Sequence, residues 1–191
     1  MNIEEALAKA TDTKACLIGD GVLAQVPTVF GEQFPGRKTA IVIADPRTWT
    51  AAGEKVTALL EGAGVRTTKY IVEPSGKVFH AEYHYVNDVR GAIEQAAGPD
   101  GLPVPVAVGS GVVNDLTKRA SGELKVPYMI CATAASVDGY SSFGAALVSP
   151  EGAKQTYPCP APKAIVADLD VMRTAPKEMA AYGFADLMAK I

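Results

Sequence analysis

VPVAVGSGVVNDLTKRA, residues 104–120, is the stretch whose reading decides the fold. Its first five residues are apolar without alternation, the pattern of a short strand covered on both faces. Gly109-Ser110-Gly111 then turns the chain into a segment of helical spacing that runs to residue 120. A doubly buried strand that passes through glycines into a helix is the repeating unit of a parallel sheet wound with helices.

The same unit repeats on both sides of this stretch. Strands are predicted at 15–19, 39–45, 65–72, 127–132 and 164–168, and helices at 21–34, 49–64 and 86–97. Pro27 interrupts the first of these helices, Thr48 reads as the N-cap of the second, and Gly62 and Gly64 fit its end. Residues 133–163 change character: they are rich in Ser, Ala, Gly and Pro and carry a predicted hairpin, 144–149 with 153–157. Ala175-Pro176 opens a last helix whose apolar positions are Met179, Tyr182, Leu187 and Met188. The sequence stops at Ile191 in mid-pattern, so the C-terminus reads as interrupted and the apolar positions Met179, Leu187, Met188 and Ile191 as uncovered without a partner, which predicts oligomerisation or poor solubility. The fold class is therefore α/β: a parallel sheet with helices on both faces, a C-terminal hairpin and strand, and a last helix at the C-terminus.

Composition narrows the function classes. The formal net charge is −3 and the pI about 5.4, with no basic stripe of the kind that binds nucleic acid. Apolar runs are strand-sized, short of the roughly 20 residues that cross a bilayer. The N-terminal MNIEEALAKATDTKA has no signal-peptide core, and Cys16, Cys131 and Cys159 are widely spaced with no CxxC pair. A reducing cytoplasm is the simplest compartment, with no nucleic-acid or membrane partner.

Several residues have chemistry to offer. Glycines at 109 and 111 let a phosphate approach the backbone at a helix N-terminus, though a GxG turn also serves as a plain tight turn and matches neither GxGxxG nor a P-loop. Asp45 sits where the second strand ends and can accept hydrogen bonds from a ribose, or simply cap the turn. Thr133 to Gly139 (TAASVDG) places two hydroxyls and the Asp138 carboxylate among small side chains after the fifth strand. Asp115 and Lys118 share a helix face as an ordinary solvated ion pair. Asp186, beside Leu187 and Met188, is either a surface acid or one arm of a metal site. His80 and His84 stand at i, i+4 and face one way only if helical, and no HExxH accompanies them.

The segments 109–118 (GSGVVNDLTK), 133–139 (TAASVDG), 164–176 (AIVADLDVMRTAP) and 180–190 (AAYGFADLMAK) together resemble the sn-glycerol-1-phosphate dehydrogenases of the iron-containing alcohol dehydrogenase and dehydroquinate synthase-like superfamily. The resemblance covers essentially the whole chain. It implies a Rossmann-like dinucleotide-binding domain over residues 1–174 and, over 175–191, the start of a helical metal-binding domain. It implies that Asp45 binds the adenosine ribose of NAD or NADP, with NAD favoured because a carboxylate repels a 2′-phosphate, and with Arg47 softening that preference. Gly109, Ser110, Gly111, Val112 and Val113 would cradle the pyrophosphate. Thr133, Ala134, Ala135 and Ser136 would line the nicotinamide end with Ser142 near it.

By the same resemblance Asp138 would contact a small phosphorylated or polyol substrate. Asp186 would contact substrate and supply the first ligand to a divalent zinc, nickel or iron ion. The implied reaction is reduction of dihydroxyacetone phosphate to sn-glycerol 1-phosphate. The chain departs from the family pattern in reading Gly-Ser-Gly for Gly-Gly-Gly at 109–111 and Gly183-Phe184-Ala185-Asp186 for G-x-G-D. The family's remaining metal ligands are C-terminal histidines that this sequence lacks, so the piece is expected to be inactive alone and to act in a homo-oligomer or with a C-terminal domain. Alternatives are a glycerol or other polyol dehydrogenase, a dehydroquinate synthase-like enzyme, and a non-catalytic nucleotide-binding module.

Overall fold

The computed structural model describes residues 2–76 and 78–190, so the terminal Ile191 lies outside the described residues. In chain order the elements are α1 (Ile3–Lys9), β1 (Ala15–Gly19), α2 (Val26–Gln33), β2 (Thr39–Ala44), α3 (Pro46–Thr48), α4 (Glu54–Gly62), β3 (Arg66–Ile71), α5 (Tyr83–Gln95), β4 (Val104–Gly109) and α6 (Gly111–Leu124). They continue with β5 (Met129–Ala132), β6 (Ala145–Val148), β7 (Lys154–Tyr157), β8 (Ala164–Asp168), α7 (Leu169–Met172) and α8 (Lys177–Met188). Six strands form one sheet in the order β1-β8-β5-β4-β2-β3, every pair parallel, while β6 and β7 make the separate antiparallel hairpin.

The absence of alternation in the strands has its reason in two buried faces. In β2, Ala40, Val42 and Ala44 join a core with Val29 and Phe30 of α2 and Val56 and Leu60 of α4. Ile41 and Ile43, from the same strand, join a second core with Val86, Val89 and Ile93 of α5 and Val113 and Leu116 of α6. Each fully buried side chain of this size contributes about 1.5–3 kcal/mol, so a strand apolar on both faces is the cheapest one to sandwich between helix layers.

Boundaries differ from expectation in instructive places. The segment 21–34 is a 3₁₀ turn, Val22–Gln25, followed by α2, and Pro27 falls in the first turn of α2, where its missing N–H leaves no bond unmade. Thr48 is not the N-cap of the next helix. Asp45 is, and the helical run starts at Pro46 and passes through a π turn, Trp49–Gly53, before α4. α5 starts at Tyr83, earlier than expected, and the helix expected from residue 109 starts at Gly111 and runs on to Leu124. No helix among the described residues is long and apolar enough to cross a membrane.

The strand order reverses direction between β2 and β4: the chain runs outward from β2 to β3, then returns to the other side of β2. Such a reversal opens a crevice at the carboxyl ends of the strands. Asp45 and Gly109 are the residues at those two ends.

Candidate functional site

Three strand-to-helix turns at this edge of the sheet handle the first amides of their helices differently. After β2, Asp45 Oδ1 accepts from the N–H groups of Arg47 and Thr48 at 2.8 and 2.9 Å, and Thr48 Oγ1 accepts from the Asp45 N–H at 3.0 Å. After β8, the buried Asp168 accepts from Leu23 N–H at 2.8 Å, Asp170 N–H at 2.9 Å and Gly21 N–H at 3.3 Å. Burial alone would raise the Asp168 pKa, but these backbone donors hold it below the usual carboxylate value. After β4, Ser110 occupies the N-cap position of the 14-residue α6 with extended backbone, and its side chain caps nothing. An uncapped helix N-terminus presents amide donors and the positive end of the helix dipole.

Glycine is required next to that end. A Cβ on Gly109 would lie 2.5 Å from Cβ of Val113, because the turn folds β4 tightly back against the first turn of α6. Thr133 donates its N–H to the Gly109 carbonyl at 3.0 Å, which ties the loop after β5 to the same turn. Tyr140 braces that loop further: its hydroxyl donates to the Ala134 carbonyl at 2.7 Å, and burial pushes its pKa up to about 12.

A cavity of about 480 Å³ opens at this edge. Of the residues expected from the sequence, Gly111, Val112, Asp138, Ser142 and Asp186 line it, while Asp45, Gly109, Ser110, Val113 and Thr133 to Ser136 do not. Thr133 and Ala134 are buried beneath the loop, so any part they take in binding runs through the backbone. The far wall comes from α8. Asp186 Oδ2 accepts the Asp138 N–H at 3.1 Å, and Lys190 is ion-paired with the Asp138 carboxylate. The Lys190 hydrogen bond is the main reason the Asp138 pKa falls below its ordinary value. α8 can come this close because residue 183 is glycine: a Cβ there would stand 2.0 Å from the Ala135 carbonyl oxygen. The Gly183–Asp186 spacing thus has a steric meaning of its own.

One expectation is corrected, and one reading that the sequence left open is resolved. Asp115 and Lys118 are not a solvated pair: the Lys118 side chain is fully buried, 3.6 Å from Asp115, within the protein. Burial lowers the Lys118 pKa and raises that of Asp115, each opposed by the partner's charge. His80 and His84 do not form a pair on one helix. His80 precedes α5 and lines the cavity, whereas His84 stacks on Tyr85 and faces Glu82 at 3.4 Å.

Metal ligands are incomplete. Among the described residues no group of three His, Cys, Asp or Glu side chains could hold a metal ion. Asp186 is one carboxylate, and a transition-metal site takes three or more protein ligands, so these residues alone do not fit one. The uncovered face of α8 is as expected for Tyr182, Leu187 and Met188, which are exposed together with Phe184, a residue the sequence reading passed over. Lys154 and Lys190 also line the cavity unanticipated, since neither belongs to a local motif and only the hairpin and α8 bring them there.

A wholly parallel sheet with helices on both faces, a strand-order reversal and an uncapped helix N-terminus beside it define an α/β protein of Rossmann-like fold. The chain belongs to the iron-containing alcohol dehydrogenase family, whose model matches residues 17–176. It is 37% identical over 154 residues to the glycerol-1-phosphate dehydrogenase of Geobacillus thermodenitrificans, covering 80% of this chain and 37% of that protein. It is 34% identical over 175 residues to the enzyme of the same name from Halalkalibacterium halodurans, covering 91% and 42%. The chain thus spans about two fifths of these curated relatives. The fold is shared with the crystal structure of glycerol dehydrogenase from Schizosaccharomyces pombe, at TM-score 0.77, 24% identity, 94% of this chain and 43% of that one. It is shared equally with the NADH-dependent butanol dehydrogenase A of Thermotoga maritima, at TM-score 0.78, 15% identity, 94% and 48%.

Proposed function

We propose that this chain is the dinucleotide-binding part of an NAD(P)-dependent oxidoreductase of the glycerol-1-phosphate dehydrogenase kind, acting on a small phosphorylated polyol or its ketone in the cytoplasm. The observation that carries the proposal is the uncapped N-terminus of α6 at the strand-order reversal, in a chain whose curated relatives bear that name.

In this reading the amides of Gly111, Val112 and Val113 take the pyrophosphate, with Gly109 and Ser110 shaping the turn. Asp45 Oδ2, which has no intramolecular bond among the described residues, takes a ribose hydroxyl. That choice favours NAD over NADP, because a 2′-phosphate would meet a carboxylate. The backbone of Thr133 to Ser136 and the Ser142 hydroxyl hold the nicotinamide end, and Asp138 orients substrate. The bound dinucleotide supplies hydride chemistry; the chain supplies position and electrostatics. Asp186 orients the Asp138 segment through its N–H and is available to a divalent metal only alongside donors from outside residues 2–190. The division into residues 1–174 and 175–191, and assembly with a second copy or a C-terminal domain through the exposed face of α8, belong to the same proposal.

The test is calorimetric titration of the chain, without added metal, with NAD⁺, NADH, NADP⁺ and ADP-ribose. Micromolar to low-millimolar binding with NAD⁺ ahead of NADP⁺ supports the reading. A folded chain that binds none of them overturns it.

A further inference from the structure

Lys118 has no part in the site as described so far, yet it is among the largest fully buried side chains of the protein. It lies two turns into α6, on the helix whose first turn faces the crevice. Its ammonium donates to three backbone carbonyls of one short segment: Gly139 at 3.2 Å, Ser142 at 3.1 Å and Gly144 at 3.0 Å, with Ser142 Oγ at 3.5 Å. Asp115, one turn earlier, is its counter-charge at 3.6 Å. The segment it holds contains the 3₁₀ turn Gly139–Ser141 and otherwise irregular chain leading into β6.

Burying an ammonium is costly, and here charge-assisted bonds that converge on one loop offset the cost; an apolar side chain would leave the Ser142 and Gly144 carbonyls without this donor. What sets these bonds apart is their geometry. Gly139, Ser142 and Gly144 all line the cavity, as do Gly111 and Val112 from the first turn of α6. One helix thus contributes to the cavity lining at its N-terminus and grips another part of that lining from its middle. The acceptors are backbone carbonyls, so the grip does not depend on the side chains of the loop.

We infer that Lys118 is a positioning residue, which fixes the 139–144 segment at the distance from α6 that the reduced end of a bound dinucleotide requires. This rests on the dinucleotide reading above, and the two can fail separately.

The experiment compares the wild-type chain with Lys118→Met and with the double variant Asp115→Asn/Lys118→Met. The double variant removes the half-buried, cavity-lining carboxylate that the single one would leave without its counter-charge, so that a folded protein is available. Two quantities are read. Hydrogen exchange is followed at the Ser142 and Gly144 amides, which donate to Gly139 and Cys159 carbonyls. Affinities for NADH and for ADP-ribose, which lacks the nicotinamide, are measured by titration.

Exchange at Ser142 and Gly144 is expected to quicken by about tenfold or more in the folded variants, with β4 and α6 amides unchanged. The ratio of NADH to ADP-ribose affinity is expected to fall by about tenfold, while ADP-ribose binding changes by less than about twofold. Unchanged exchange overturns the anchoring role. Equal weakening of both ligands overturns the positioning role in favour of a general structural one. If the wild-type chain binds neither ligand, the dinucleotide reading falls with the positioning claim, and the exchange data still decide whether Lys118 holds the loop.

Discussion

At the end of β8 the carboxylate of Asp168 takes amides from Gly21, Leu23 and Asp170, and at the end of β2 Asp45 takes those of Arg47 and Thr48. At the end of β4 the Ser110 side chain takes none from α6; only its backbone carbonyl accepts, from the Asn114 amide one turn on. The three turns share one sheet edge and one task, starting a helix after a parallel strand. Two are closed by an acid from the chain itself. The third is left open beside the strand-order reversal, where it can receive an anion. A fold advertises its site by the donors it leaves without a partner, more than by those it satisfies.

The comparison can be broken from either side. Opening the β8 turn has the largest expected effect: Asp168→Ala leaves the buried Leu23 amide and the partly buried amides of Gly21 and Asp170 without their acceptor and is expected to cost about 2–3 kcal/mol in a denaturant melt. The milder Asp168→Asn carries a pH signature. Because the folded pKa of Asp168 is depressed, its contribution is fully present above the unfolded value of about 3.9 and is lost as pH falls through the lower folded value. The stability advantage of wild type over Asp168→Asn should therefore shrink progressively below about pH 4 in melts run across that range. An advantage that is flat with pH would show that the carboxylate charge is not what closes the turn.

Gly109→Ala probes the open turn by crowding it. Its Cβ meets Val113, so a loss of about 2 kcal/mol is expected, with the damage confined to the β4–α6 junction in hydrogen exchange. Asp45→Ala has the smallest expected effect on stability, about 1 kcal/mol, the ordinary worth of an N-cap. It should also narrow the preference for NAD⁺ over NADP⁺ in titration. Retention of the full preference would leave Asp45 a capping residue and nothing more.

The sheet, its two covered faces and the order of strands and helices were legible because hydrophobic period, run length and β-branching are local properties: VPVAV and TAIVIA read as short, doubly buried strands. The hairpin was legible for the same reason. The cap of the second helix was not, because Asp45 and Thr48 are both good caps and only the register of Pro46 decides between them. The burial of Lys118 was not legible because spacing along α6 shows that Asp115 is its neighbour but is silent on the loop that covers the ammonium. The role of Gly183 as the point where α8 meets the Ala135 carbonyl is likewise a long-range contact, 48 residues apart in the parallel case of Asp138 and Asp186. Of the expected site, Gly111, Val112, Asp138, Ser142 and Asp186 reached the cavity wall, while Thr133 and Ala134 were buried with the β5 strand end.

The most direct measurement closes the open turn. Ser110→Asp places at the N-cap of α6 the side chain that closes the other two turns. The account predicts a thermal midpoint equal to or above wild type, since aspartate is a good N-cap and interacts favourably with the helix dipole. It predicts that NADH affinity falls by about tenfold or more in the same sample, because a carboxylate now occupies the place of the pyrophosphate. A folded Ser110→Asp chain that binds NADH as wild type does would contradict the claim that this helix end is the anion site.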